Sequence, residues 1–183
     1  MPQDWLWFGG RPSVDLLNTL RDRDTSPRDQ LCTPEDLVDW LRLARVATVD
    51  SATEEHVLLA GTLRSAVDRA VLTGVPTRRD VATINRHARR FRAVPPQLRF
   101  ADGVLLARAG VPEDPAGAAL GLVAIDAIDV LTAGQPVRVC AATRCGVRFV
   151  DHSPAGNRQW CSMARCGNRE KVRLHHARRR LSL

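Results

Sequence analysis

The sequence predicts a mainly α protein with one small β-hairpin, ending in a compact cysteine-rich module. Three observations predict it. Apolar residues recur at helical spacing behind N-cap signals through the first three quarters of the chain. An Asp-Gly pair separates two short apolar-rich runs near residue 102. Four of the five cysteines fall in the last quarter, where they constrain a stretch too short to build much core of its own.

"WLWFGGRPSVDLLNTLRDR" opens the body, with Ser13 the expected cap of a short helix carrying Val14, Leu16, Leu17 and Leu20. In "CTPEDLVDWLRLARV", Thr33 stands at N-cap, Pro34 at the first helical position and Asp36 three residues after the cap, so Leu37, Trp40, Leu41 and Ala44 share a face. A helix over 53–73 carries the stripe Val57, Ala60, Leu63, Val67 and Ala70 and ends at "TGVP". Thr77 with Asp80 starts another, running to about Phe91. "VPPQLRFADGVLLARAGVPEDP" breaks the pattern, with the hairpin turn at Ala101-Asp102-Gly103. Asp114 and Pro115 then start a helix that is apolar nearly all round, as the central helix of a body is. Gly134 stops it and Pro136 prevents its resumption, which divides the chain into a body over 1–136 and a module over 137–183.

Hydrophobic residues make up 44% of the chain, enough for a proper core. No apolar run approaches the roughly 20 residues of a bilayer span, and "MPQDWLWFGG" has no basic stretch of the secretory kind, so a cytosolic protein is expected. The net charge of +7 is unevenly spread: residues 1–137 carry −2 and residues 138–183 carry +9. A basic module on a nearly neutral body points to a polyanion, usually nucleic acid. Apart from Lys171 every basic side chain is arginine, which suits bidentate phosphate and guanine contacts.

Cys140, Cys145, Cys161 and Cys166 read C-x4-C, fifteen residues, then C-x4-C. Four thiolates supply the tetrahedron zinc prefers, and a short loop within each pair lets both sulfurs face one ion. "VRFVDHS" reads as a strand and "PAGN" as its turn, with a helix starting at the second pair: a treble-clef-like or zinc-ribbon-like unit. A regulated dithiol switch, or buried cysteines without a ligand role, are the other readings of the same residues. Cys32 stands apart before a helix cap and reads as a small apolar filler.

"CAATRCGVRFVDHSPAGNRQWCSMARCGNREKVRLHHARR" resembles the CGNR zinc-finger family, through Cys166-Gly167-Asn168-Arg169, Phe149-Val150-Asp151, Ser153, Arg158 and Trp160-Cys161-Ser162-Met163. The stretches "FGGRPSVDLLNT", "LCTPEDLVDWL" and "LRSAV" resemble the helical domain that precedes that finger, described as a putative stress-induced transcription regulator. The resemblance implies a zinc-bound, DNA-binding bacterial regulator.

Within the module Arg169 is expected to pair with Asp151 and lock the helix to the hairpin, and Trp160 to shield the metal. Arg144, Arg148, Arg158, Arg165, Lys171, Arg173, Arg178, Arg179 and Arg180 are the candidate phosphate contacts; His175 and His176 are spare to a filled tetrahedron. The body has no G-x-S-x-G, P-loop or H-E-x-x-H, so no enzyme is expected. Asp126 and Asp129 are expected to meet arginines, and His56 and His87 to lie on the surface. Asp15, Asn18, Thr19, Trp40 and Arg64 are polar or amphipathic positions that either tie helices together or line a small-molecule effector pocket. The reading is a DNA-binding regulator, paired as a homodimer through its body. The alternatives are an RNA-binding or protein-interaction adaptor with structural zinc, and a zinc-thiol redox sensor.

Overall fold

The computed structural model describes residues 4–23 and 25–181, with side chains as far as His175. Helices α1 (Pro12–Leu17), α2 (Pro34–Leu43), α3 (Glu54–Thr73), α4 (Arg78–Ala88) and α5 (Pro115–Thr132) form the body, and α6 (Asn168–Leu181) ends the module. Among the described residues three antiparallel strand pairs accompany them: β1 (Leu20–Arg21) with β2 (Arg28–Asp29), β3 (Gln97–Ala101) with β4 (Val104–Arg108), and β5 (Val137–Val139) with β6 (Arg148–Val150).

The caps at Thr33 and Thr77 form as read, each a reciprocal box with Asp36 or Asp80. Such a cap contributes about 1 kcal/mol. Thr53 forms a third box in which the His56 ring replaces a carboxylate, with Nδ1 accepting from the Thr53 backbone N–H at 3.0 Å; His56 is therefore a half-buried structural residue rather than a loose surface one. Ser13 does not cap α1. Pro12 takes the first helical position behind an extended Arg11, and Ser13 is buried, donating from N and Oγ to Asp126 at 2.8 and 2.6 Å. Arg11 reaches Asp126 at 2.7 Å and Asp129 at 3.5 Å, so both carboxylates meet an arginine. α4 stops at Ala88, short of Phe91, because the chain crosses α5 there: a side chain at Gly121 would lie 2.6 Å from the Phe91 nitrogen.

Against the expectation that no apolar run approaches a bilayer span, the 18 residues of α5 are long and apolar enough, by length and composition, to cross a membrane. Its Leu120, Val123, Ala124 and Ala127 are instead fully buried against α1, α3 and α4, which makes it the core helix. Around it pack Leu16, Leu17, Leu37, Trp40, Leu41, Leu63 and Val67. Each such large side chain contributes about 1.5–3 kcal/mol of burial. His87 is also inside, with Nε2 at 3.2 Å from Thr62 Oγ1, against the expectation of a surface position. Cys32 is exposed and fills no core.

The turn of the β3–β4 hairpin falls at Asp102 and Gly103, both with positive φ, as the tight primed turn requires. In the module the strands pair differently from expectation. β6 pairs with β5, which precedes the first cysteine pair, so that pair sits in the connection between the two strands. The return after "PAGN" is irregular and meets the first knuckle through Ala141 N–H to Gln159 O at 2.9 Å and Cys161 N–H to Cys140 Sγ at 3.4 Å.

Module and body pack as one unit. Leu6 and Phe8, from the N-terminal segment, join the apolar cluster around the cysteines, while Val150 of β6 joins the core of the body. Gly9 accepts from Val150 N–H at 2.9 Å and donates to Asp15 at 2.7 Å. A side chain at Gly9 would lie 2.6 Å from the Asp15 nitrogen, so the segment can thread between α1 and β6 only as glycine.

Candidate metal centre and basic helix

The fold brings Cys140, Cys145, Cys161 and Cys166 together, with all four sulfurs within 4.8 Å of one another. Cys140 leaves β5 and Cys145 precedes β6. Cys161 follows Trp160, and Cys166 lies in one π-helical turn (Met163–Gly167) that opens α6. Sulfur separations of 3.8 Å (Cys145–Cys161), 3.7 Å (Cys161–Cys166) and 3.5 Å (Cys145–Cys166) match a tetrahedron. Four thiolates at the usual zinc–sulfur bond length would stand about 3.8 Å apart. The donor set, its spacing and its burial therefore fit a divalent zinc.

Electrostatics point the same way. Hydrogen bonds from neighbouring thiols, led by Cys161, bring Cys145 down to about 5. Its bond to Cys145 together with burial drives Cys161 strongly upward, and burial followed by the Cys145 hydrogen bond pushes Cys166 to about 11. Holding all of the thiols deprotonated in so small a volume needs a cation at the centre.

Around the sulfurs, three devices hold α6 to the knuckles. Glu170, one of only two acids in residues 138–183, is buried. It accepts from Thr143 N–H at 3.0 Å and Arg173 Nε at 2.7 Å, the latter chiefly holding its carboxyl below the usual range. Arg169 donates to Thr143 O at 3.2 Å and lies 3.8 Å from Cys166 Sγ. Gly167 is buried so tightly that a side chain there would lie 2.6 Å from Met163 Sδ. The half-buried Trp160 packs on the same cluster.

The expected Arg169–Asp151 pair does not form. Asp151 follows directly on β6, beside the strand that carries Arg138, and bonds there: Arg138 Nε at 2.8 Å, Arg158 N–H at 2.9 Å, Ser153 N–H at 3.0 Å and Ser153 Oγ at 2.6 Å. These bonds, that of Ser153 Oγ foremost, hold its carboxyl at about 2. Arg169 sits in the first turn of α6 over the other knuckle, so the helix is locked through Thr143. The signal available in the sequence was the scarcity of acids, which gives Glu170 and Asp151 an excess of arginines to choose among.

The basic candidates divide. Arg144, Arg165, Lys171 and Arg173 are exposed, Arg165 with its guanidinium 5.5 Å over the Phe8 ring. Arg148 is buried and ion-paired to Asp68 at 2.9 Å, which removes it from the phosphate candidates. Arg158 is half-buried, 4.9 Å over the Phe149 ring, and donates to the carbonyls of Trp160 and Cys161, so it braces the second knuckle. The backbone of α6 carries Arg178, Arg179 and Arg180, whose side chains, like that of His176, lie outside the described residues.

The polar set of the body is used up in ties, not gathered around a pocket. Asn18 bonds Arg148 of the module, and Arg64 donates to Thr19 Oγ1 at 2.8 Å and grips Asp29. Trp40 is core, tilted against Trp7 at 6.1 Å. Asp15 receives Gly9, and its burial lifts its carboxyl to about 7. A cavity of about 710 Å³ lies elsewhere, lined by Val71, Val81, Ile84, Ile128, Leu131 and Val137 among others.

Two family models match. Residues 137–179 match the CGNR zinc finger, and residues 10–134 match the ABATE family, described as "putative stress-induced transcription regulator". No curated protein matches the chain. With its body matched over more than half of the chain and its four thiols gathered inside the matched finger, the chain belongs to the ABATE family and carries a CGNR zinc finger.

Proposed function

We propose that the protein is a cytosolic transcription regulator that binds duplex DNA through α6, with one zinc on Cys140, Cys145, Cys161 and Cys166 fixing the base of that helix. The observation that carries this reading is the posture of α6. Its first turn is clamped by Cys166, Arg169 and Glu170, while Lys171, Val172, Arg173, Leu174 and His175 are all exposed. A helix of 14 residues is about 21 Å long, enough to lie along a major groove. Arg144 and Arg165, exposed on the knuckles, extend the same basic surface. The metal, when bound, supplies charge neutralisation and rigidity, and the arginines and Lys171 supply the phosphate contacts. Selecting genomic fragments on the purified protein, with zinc measured on the same sample, tests this. Enrichment of defined duplexes supports it, and equal retention of RNA and random DNA favours the adaptor reading.

Effector sensing, if the body performs it, belongs at the 710 Å³ cavity. Its volume and apolar lining suit a small apolar molecule. Its wall includes Pro136, whose carbonyl accepts from Asp151 N–H at 2.9 Å, and Val137, which pairs with Val150. A ligand there would press directly on the seam with the finger.

A further inference from the structure

The hairpin of β3 and β4 has little support within the described residues. Two strands alone are marginal in water, and a ribbon ordinarily needs a third strand or a packed face. Here almost every residue of both strands is exposed. The register places Leu98 opposite Ala107 and Phe100 opposite Leu105, so these four share one face. That face holds no polar side chain, yet Leu98 is 76% exposed, Phe100 74% and Leu105 62%. The other face carries Gln97, Arg99 and Arg108 beside Val104 and Leu106. The stem is fixed rather than loose, because a side chain at Gly110 would lie 2.5 Å from Val94.

We infer that the Leu98, Phe100, Leu105 and Ala107 face is a self-association surface whose occupant is the same face of a second copy. Three features select a second copy. The face is uncharged and therefore self-complementary across a two-fold axis, as an isologous contact requires. Stacking it on itself turns Arg99 and Arg108 outward, so like charges are not brought together. The area also suffices: with the adjoining exposed Val94 and Val111, two copies would bury on the order of 1,000 Å², the lower bound for a specific interface. The inference does not depend on DNA binding, although a dimer would present two α6 helices.

Sedimentation velocity of the zinc-loaded full chain, without nucleic acid, tests it. The parent is expected to sediment as a dimer. Phe100→Asp and Leu105→Asp should each be monomers that keep the parent's helical circular dichroism, since neither side chain belongs to the core. Leu106→Asp, on the opposite face, should remain dimeric. A monomeric parent, a dimeric Phe100→Asp, or loss of the dimer in Leu106→Asp would each overturn the assignment.

Discussion

Asn18 and Arg148, 130 residues apart, are joined by two bonds: the Asn18 amide donates to Arg148 O at 2.9 Å and accepts from Arg148 N–H at 2.8 Å. A side chain at the end of α1 thus completes the backbone of a finger strand, and Arg148 in turn reaches back to Asp68 in α3. Asn18→Leu, similar in size, would leave both backbone groups buried and unpaired, at about 1–3 kcal/mol each. A loss of about 2–4 kcal/mol in urea unfolding is expected, with finger and body unfolding in one transition. An unchanged midpoint would show that the two parts do not depend on this tie.

Cys161→Ser should abolish stoichiometric zinc by elemental analysis, whereas Cys32→Ser should leave it intact, because Cys32 is exposed and outside the cluster. Circular dichroism should keep most of the helical signal of the body, because α1 to α5 supply most of its core and the finger adds Val150 to it. Full zinc in the Cys161 variant would contradict the ligand set.

Asp151 and Arg169 should separate on mutation. Asp151→Ala strips four donors of their acceptor and should lower the melting temperature clearly. Arg169→Ala, exposed and bonded to one carbonyl, should lower it far less. The low Asp151 value makes its contribution fully present above about pH 4 and lost as pH falls towards 2. Equal melting losses in the two variants would restore the direct pair.

Asp15 and His87 set opposite pH slopes. Burial raises Asp15 from its usual 3.8 to about 7, so the folded chain holds a proton the unfolded chain releases, and stability falls as pH rises from about 4 to 7. His87 is lowered from 6.5 to about 4, by burial first and then by Arg90 and Arg86. It stays neutral inside, and stability falls as pH drops from 6.5 towards 4. Asp15→Asn should match the parent near pH 4 and exceed it above pH 7, by at most about 4 kcal/mol. A constant difference between pH 5 and 8 would exclude titration at Asp15.

Much of the body was legible because it rests on local signals. Thr33 and Thr77 cap with a carboxylate three residues on, and Asp102-Gly103 supplies the positive φ of its turn. The four thiols were legible from spacing. What escaped was non-local. Nothing near Asn18 in the chain announces Arg148, and Arg148 and Arg158 look like their exposed neighbours until the fold supplies Asp68 and the knuckle carbonyls. The β1–β2 pair was too short to show a period. The sequence points Arg169 at Asp151 because charge alone cannot say that Arg138, across the strand pair, is closer.

The central claim is that zinc fixes α6 so that its basic side chains reach a phosphate backbone. The salt dependence of duplex binding, followed by fluorescence anisotropy on the zinc-loaded full chain and on a chain lacking residues 178–183, tests this most directly. If about five side chains neutralise phosphates, log K against log salt should slope at roughly −4 to −5. Removing Arg178, Arg179 and Arg180 should make the slope shallower by about 2 to 3. A slope that does not move on truncation, or binding that survives unchanged in Cys161→Ser, would contradict the claim.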